Sequence, residues 1–498
     1  MARKATLGAL AAFCVLVVVL VVNTLLVRPR GAVTDRAPAV VAIDRDAAAR
    51  RLGDAIRLRT VSQGREAPVA GEAFLELHRL LESRFPRAHA ALARETVGDF
   101  SLLYTWRGTD PGLRPILLAA HLDVVPVEPG TEAVWEQPPF SGAVADGFVW
   151  GRGALDDKVS VVGTLEAVEV LLGQDFAPAR TVYLAFGHDE EIDGLNGAKK
   201  IVQVLADRGV RLDFSLDEGG VIVHDLVPGV RKPVALIGIA EKGYLSLRLA
   251  VKLPPDQCGH SSMPPRTSAM ARLAVAVQRL EANRMRERIE PPVTLFVDAL
   301  APEMSFPMRL VAANRWLFRP ILKFIFTTGR ATNALIRTTT AVTIVRGGVK
   351  ANVIPCEAEA VVNFRILPGD TVETVTAHTR AMLDDPGVTV EQIEIANEPS
   401  AVSGVDTRGY EALKKTVRQV FPETVSAPFL VLAGTDSKHY AEVADNSYRF
   451  LPVRLGPADL ARIHGADERI SVENYEEVVR FYVQLMQNTL SPEAVGAR

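Results

Sequence analysis

The stretch GRGALDDKVS, Gly151–Ser160, decides the fold. It opens as Gly-x-Gly, like a dinucleotide loop. Where a third glycine should stand there is Asp156, followed at once by Asp157 and Lys158. A phosphate-binding turn needs small residues so that backbone can approach a pyrophosphate, and it needs no negative charge. Two adjacent carboxylates repel a phosphate and attract a metal ion. In VSVVGTLEAVEVLLG, Val159–Gly173, apolar residues recur at three- and four-residue spacing and a glycine closes the run. The spacing predicts a helix entered through a metal-binding turn.

Working outward, short apolar runs alternate with helical patterns. Helices are expected at Asp44–Arg59, with Ala48, Leu52 and Ile56 as its apolar stripe, and at Gly71–Leu81. PILLAA, Pro115–Ala120, reads as a buried strand ending at His121. TVYLAF, Thr181–Phe186, ends at Gly187-His188-Asp189-Glu190-Glu191. LDFSL, Leu212–Leu216, ends at Asp217-Glu218. This alternation predicts an α/β fold with a mixed, largely parallel sheet.

From Gly243 the grammar changes. YLSLRLAVKL alternates apolar and polar, as a half-exposed strand does. A helix at Ser268–Glu281, strands at Thr340–Arg346 and Glu357–Ile366, a helix at Thr371–Leu383 and a strand near Val388–Ile395 follow. That is the split, ferredoxin-like α+β order. It is an insertion, because the α/β pattern resumes with a helix at Tyr410–Val420 and the run PFLVLAGTDS. Within it, residues 282–339 carry WLFRPILKFIF, Trp316–Phe326. This run reads as extra helices covering an apolar face, or as a cover for a lipid-like substrate or a membrane contact.

The chain has 498 residues, nearly half hydrophobic, with a net charge of −3, so nothing points to nucleic acid. The uncharged run Ala5–Val27 is long enough to span a membrane and fits an uncleaved signal anchor better than a cleaved signal peptide. An exported catalytic unit is expected, secreted if the segment is cleaved. Of three cysteines, Cys14 lies in the apolar run. Cys258 and Cys356 could form one bridge but make no thiolate metal site. Any metal must be held by oxygen and nitrogen.

Acidic and histidine clusters fall at the carboxyl ends of the expected strands, the edge where open α/β sheets bind ligands. In extended chain His121 and Asp123 face the same way, so His121 can ligate while Asp123 orients its ring. Asp156 could span two cations, although Asp156 or Asp157 taken singly fits a helix N-cap. Of the adjacent Glu190 and Glu191, one can bind metal while the other handles a proton. Asp217 and Glu218 are a further ligand source, and His464 stands in the loop RIHGADERI. Together these make a carboxylate-bridged pair of metals with one imidazole each. Such a set suits two zinc ions and admits cobalt or manganese.

With GRGALDDK, HDEE, LDEGG, GHSSMPP, RTTTAVTIVRGGVKANVIP, NFRILPGD, GTDS and RIHGADERIS, the chain from about Asp44 to Gln487 resembles the aminoacylase/carboxypeptidase family of dinuclear zinc metallopeptidases. Its branches acting on N-fatty-acyl amino acids, and next the vacuolar carboxypeptidases, look most similar. The resemblance implies that His121, Asp156 and one of Asp217 and Glu218, with a lean to Asp217, hold one zinc. Asp156, Glu191 and His464 would hold the other. It implies Glu190 as general base, Asp123 as the support of His121, and a cis peptide between Asp156 and Asp157. His260 would stabilise the oxyanion, often across a homodimer formed through the inserted unit. Asn352 and Arg365 would hold a substrate carboxylate, with backbone contacts from Gly434 and Thr435.

The expected organisation is a signal anchor at 1–30, a linker at 31–43 and a catalytic unit at 44–242. A lid and dimerisation unit is inserted at 243–395, and the catalytic unit is completed at 396–490. The expected activity is amide hydrolysis of N-acyl amino acids, fatty-acyl ones favoured, and reversible in principle. The alternatives are a carboxypeptidase releasing C-terminal residues and a non-catalytic, membrane-tethered metal-binding module.

Overall fold

Lys158–Leu172, the helix that follows the quoted turn, is buried along most of its length. It lies against Arg45–Ile56 on one side and Val472–Leu490 on the other. Its lack of a strongly polar face follows from that enclosure. In the computed structural model the described residues are 2–28 and 41–492, so most of the expected linker lies outside them.

The helix belongs to the layer covering a mixed sheet of ten strands among the described residues. At its centre Ile116–His121 runs parallel to Val182–Gly187 and to Ser215–Asp217. His121 pairs with Gly187. Three parallel strands therefore deliver their carboxyl ends to one edge, and the acidic and histidine clusters with them. The chain returns to this sheet after residue 395. Ser447–Arg449 lies parallel to Ser215–Asp217, and Val425–Val431 parallel to Val234–Glu241.

A second sheet has four strands in the order Thr339–Gly347, Glu357–Ile366, Gly243–Lys252, Val388–Gln392, each antiparallel to its neighbour. Glu357–Ile366 alternates strictly between buried and less buried residues. Its apolar side packs with Leu273, Leu280 and Val375 from the helices Ala269–Ala282 and Val372–Leu383. Ser268 and Thr371 cap those two helices with their hydroxyls. The strand expected to run to Ile395 ends at Gln392. Gly259–His260 and Val353–Ile354 form a separate two-stranded ribbon, and a disulfide joins Cys258 to Cys356 at its base.

The apolar extension folds as helices Val293–Leu300, Phe306–Ala313, Arg315–Thr328 and Arg330–Leu335. Val297, Leu300, Leu322 and Phe326 bury against Val234, Leu236 and Leu430 of the large sheet. Each such side chain stabilises the docking by about 1.5–3 kcal/mol. The N-terminal helix Ala2–Leu26 holds a stretch, Arg3–Leu26, long and apolar enough to cross a membrane, and it is the single such helix among the described residues.

Candidate active site and metal centre

The quoted turn is built by its glycines and its lysine. Gly151 has φ +134° and Gly153 φ +93°. A Cβ on Gly151 would lie 2.5 Å from Ile56 Cγ2. Lys158 is buried, and its Nζ donates to the carbonyls of Ala55 and Leu58, 3.0 and 2.5 Å away. It satisfies carbonyls at the end of Arg45–Ile56, and burial pulls its pKa down to about 7. Asp157 occupies the N-cap position of Lys158–Leu172 but makes no side-chain cap bond. Its Oδ2 accepts from the His121 amide instead, at 3.3 Å. The peptide between Asp156 and Asp157 is cis.

Asp156 is thereby aimed across the sheet edge. Its Oδ1 lies 2.8 Å from His121 Nε2 and its Oδ2 3.0 Å from His464 Nε2. His464 Nε2 is also 3.4 Å from Glu191 Oε2. Two ligand groups result, each with its donor atoms within 4.8 Å of one another. They are His121 with Asp156 and Glu218, and Asp156 with Glu191 and His464. The first includes Glu218; the resemblance leaves Asp217 and Glu218 both open, with a lean to Asp217. Asp217 is the last residue of its strand, and its Oδ1 accepts the Glu218 amide at 3.0 Å. A third group brings Glu190 and Glu191 to His121.

Asp123 meets His121 through both its backbone and its side chain. His121 Nδ1 meets the backbone carbonyl of Asp123 at 2.9 Å, with its carboxylate further off at 3.4 Å. That carboxylate accepts from Ser62 Oγ and from the amides of Glu190 and Glu191. It therefore positions the turn carrying both glutamates as much as it positions the imidazole.

The donor set fits a pair of divalent cations. Burial pushes Glu190, Glu191 and Glu218 up from the ordinary carboxyl range, and their carboxylate neighbours add to it. Burial lifts Asp217 to about 6. Hydrogen bonds to Asp156 and Glu191 lift His464 to about 10. Acids crowded this way hold protons unless positive charge enters among them. Glu191 Oε1 and Asp217 Oδ2 are buried without a hydrogen-bond partner among the described residues. Oxygen and imidazole donors without thiolate suit zinc. Cys258 and Cys356 are tied to each other, and Cys14 is in the N-terminal helix.

The remaining expected residues stand outside these groups. His260 and Asn352 are exposed, one on the disulfide-closed ribbon and one just before its second strand. His260 Nδ1 meets Ser262 Oγ at 2.8 Å. Arg365 is half-buried on Glu357–Ile366, over the Tyr244 ring at 5.0 Å, and burial lowers its pKa. The Thr435 amide and hydroxyl both go to Glu241 Oε2, at 3.2 and 2.9 Å, so that amide is already engaged. An added Cβ at Gly434 would meet open space.

Two participants had no separate signal in the sequence. Glu468 is fully buried. Its Oε1 accepts the amides of Gly153, Leu155 and Asp156, at 2.9, 2.8 and 3.2 Å. Its Oε2 pairs with Arg152 at 2.5 Å, and Arg152 donates on to the His464 carbonyl at 3.0 Å. Asp436, also buried, lies against Gly187 and Gly194, where added Cβ atoms would come 2.6 and 1.9 Å from its oxygens.

With this geometry in hand, the relatives are informative. Over 445 residues the chain is 42% identical to the "Probable carboxypeptidase S-like 2" of Dictyostelium discoideum, covering 89% of this chain and 85% of that protein. Over 440 residues it is 44% identical to the "N-fatty-acyl-amino acid synthase/hydrolase PM20D1.1" of Danio rerio, covering 87% and 84%. The crystal structure of the M20 family metallo-carboxypeptidase Sso-CP2 from Sulfolobus solfataricus superposes with a TM-score of 0.65 at 17% identity, over 90% of this chain and 99% of that one. Residues 117–488 match the model of peptidase family M20/M25/M40. The span of that match runs from the strand bearing His121 to the helix beyond His464, and the chain belongs to this family of hydrolases.

Proposed function

We propose that this M20 metallohydrolase cleaves the amide bond of N-fatty-acyl amino acids, giving a fatty acid and an amino acid, by a reaction reversible in principle. The observation carrying the hydrolytic reading is that each oxygen of Asp156 meets a different imidazole while Glu190 stands beside them. The acyl class draws support from the N-fatty-acyl relative and from the apolar helical extension.

His121, Asp156 and Glu218 would hold one zinc, and Asp156, Glu191 and His464 the other. When bound, two such cations supply Lewis-acid polarisation to a carbonyl and to the attacking water. The chain's residues do the rest. Arg365 has no carboxylate partner among the described residues, and a guanidinium pairs bidentately with a carboxylate. With Asn352 it would hold the substrate's free carboxylate, with backbone contacts from Gly434 and Thr435. His260 faces the oxyanion once the inserted unit closes, within a subunit or across a homodimer. Glu190, which burial keeps ready to carry a proton, takes one from water and returns it to the departing amine.

The same reading assigns residues 44–242 and 396–490 to a catalytic unit and 243–395 to an inserted lid and dimerisation unit. The strand order of that insertion supports a ferredoxin-like unit. Ala2–Leu26 is read as an uncleaved signal anchor with the catalytic unit exported. The Cys258–Cys356 bridge suits an oxidising compartment.

Replacing Glu190 by Gln is expected to leave metal content unchanged and to lower turnover by about 10²–10⁴-fold. Undiminished turnover would remove Glu190 from its role, and a purely metal-binding module would show no turnover in either form. The carboxypeptidase reading is favoured by the Dictyostelium relative. Turnover of N-oleoyl-phenylalanine against blocked dipeptides, read by mass spectrometry, decides between the two.

A further inference from the structure

The helix Arg315–Thr328 uses only one of its faces against the protein. Leu322 and Phe326 are buried. On the other side Trp316, Pro320 and Phe324 recur every four residues, with Leu317 and Ile321 alongside, and all five are exposed. Trp316 is 63% and Phe324 67% exposed. A water-facing helix of this type would carry charge in that arc. Here the charges flank it instead. Arg315 pairs with Asp298 at 2.6 Å, Lys323 pairs with Glu287, and Arg319 is exposed at the border.

The N-terminal helix is fastened to the start of this same helix. Asn314, fully buried, donates to the Leu20 carbonyl at 3.1 Å and to Thr24 Oγ1 at 3.3 Å, and it accepts from Asn23 Nδ2 at 2.9 Å. Val27 packs into the core of the helical extension. The last turns of the long apolar helix are therefore held at Asn314, two residues before Trp316. An aromatic and aliphatic face edged by Arg and Lys, at the mouth of a spanning helix, has the make-up of an interfacial segment.

We propose that the Trp316–Phe324 face lies in the lipid headgroup and upper acyl region of the bilayer that receives Ala2–Leu26, and so holds the catalytic unit against the membrane surface. The proposal rests on the anchor reading above. Its occupant is a lipid surface, argued from the continuity of the two apolar surfaces through Asn314.

The molecule carries its own probe. Its other three tryptophans, Trp106, Trp135 and Trp150, are all buried, so Trp316 alone is placed to meet lipid. The full chain is reconstituted into vesicles of phosphatidylcholine and phosphatidylglycerol, with and without bromine on the acyl chains, floated on a density gradient, and its tryptophan emission recorded. The expected result is a floating protein whose emission is quenched by bromolipid, with the larger part of that quenching lost in Trp316→Phe. A protein that floats without quenching, or quenches equally in Trp316→Phe, overturns the proposal while sparing the anchor. In that case sedimentation in detergent tells a face open to water from one covered by a second copy. A protein that does not float overturns both.

Discussion

A carboxylate that must present one oxygen to each of two partners needs its backbone fixed first, because rotation about its own side chain is not enough to place both. At Asp156 the fixing is done by Glu468, which gathers three turn amides on one oxygen and holds Arg152 with the other. Through Arg152 the same carboxylate steadies the His464 loop. Glu468→Gln keeps an acceptor oxygen but loses the charge that binds Arg152. Outer partners of this kind are worth about 10–100-fold in metal affinity. The expected outcome is a loss of that size in zinc competition against a chelator, with the far-ultraviolet circular dichroism unchanged, and unaltered affinity would refute the clamp. His464 was legible because it closes a set of strand-end residues of matching chemistry. Glu468, four residues on, was not, because a carboxylate that collects backbone amides has no ligand pattern of its own. Which of Asp217 and Glu218 would ligate stayed open in the sequence, because adjacent carboxylates at a strand end share one chemistry and differ only in direction.

Among the elements, those with a strong period were legible and the short ones were not. Gly243–Lys252 and Glu357–Ile366 are long enough for alternation to speak, and Lys158–Leu172 shows its helical spacing. Ile222–Val223, Arg454–Leu455 and the ribbon Gly259–His260 with Val353–Ile354 are two residues each, and two residues carry no period. Under the proposed function the ribbon would bear on the chemistry. It carries His260 and is preceded by Asn352, both exposed, with few side-chain contacts of their own to hold them. What closes its base is the Cys258–Cys356 bridge, joining positions 98 residues apart. In Cys258→Ser with Cys356→Ser the ribbon keeps its strand pairing but loses its tether. The expected result is a fall in kcat of about 10-fold, or roughly 1.4 kcal/mol of lost transition-state stabilisation, with bound zinc unchanged. Unchanged kcat would mean that the strand pairing alone positions His260.

At the scale of the whole molecule, one sheet is shared by chain that precedes residue 243 and chain that follows residue 395, so stability depends on the seam between them. His439 lies on that seam. It stands in the short helix Ser437–Tyr440, and its ring Nε2 meets the carbonyl of Asp193 at 2.8 Å across 246 residues. Burial first, then the charges of Lys438 and Lys199, pull its pKa down to about 4 from 6.5. Near neutral pH the buried ring is therefore uncharged, with its proton on Nε2, the nitrogen that donates to the carbonyl. Between about pH 4 and 6.5 the unfolded chain binds a proton here that the folded chain does not. Stability therefore falls as pH drops through that window and levels off below it. For this one group the loss between pH 7 and pH 5 is about 2 kcal/mol. Other groups titrate over the same range, above all the carboxylates and imidazoles of the candidate metal site, so the effect is read as a difference. In His439→Gln an amide can still donate to Asp193 but nothing titrates. Denaturant unfolding of both proteins at pH 7 and pH 5, with metal chelated throughout, is expected to show the wild type losing about 2 kcal/mol more than the variant. Equal losses would mean that the ring takes up its proton in the folded state as readily as in the unfolded one, and that the seam opens to water around it.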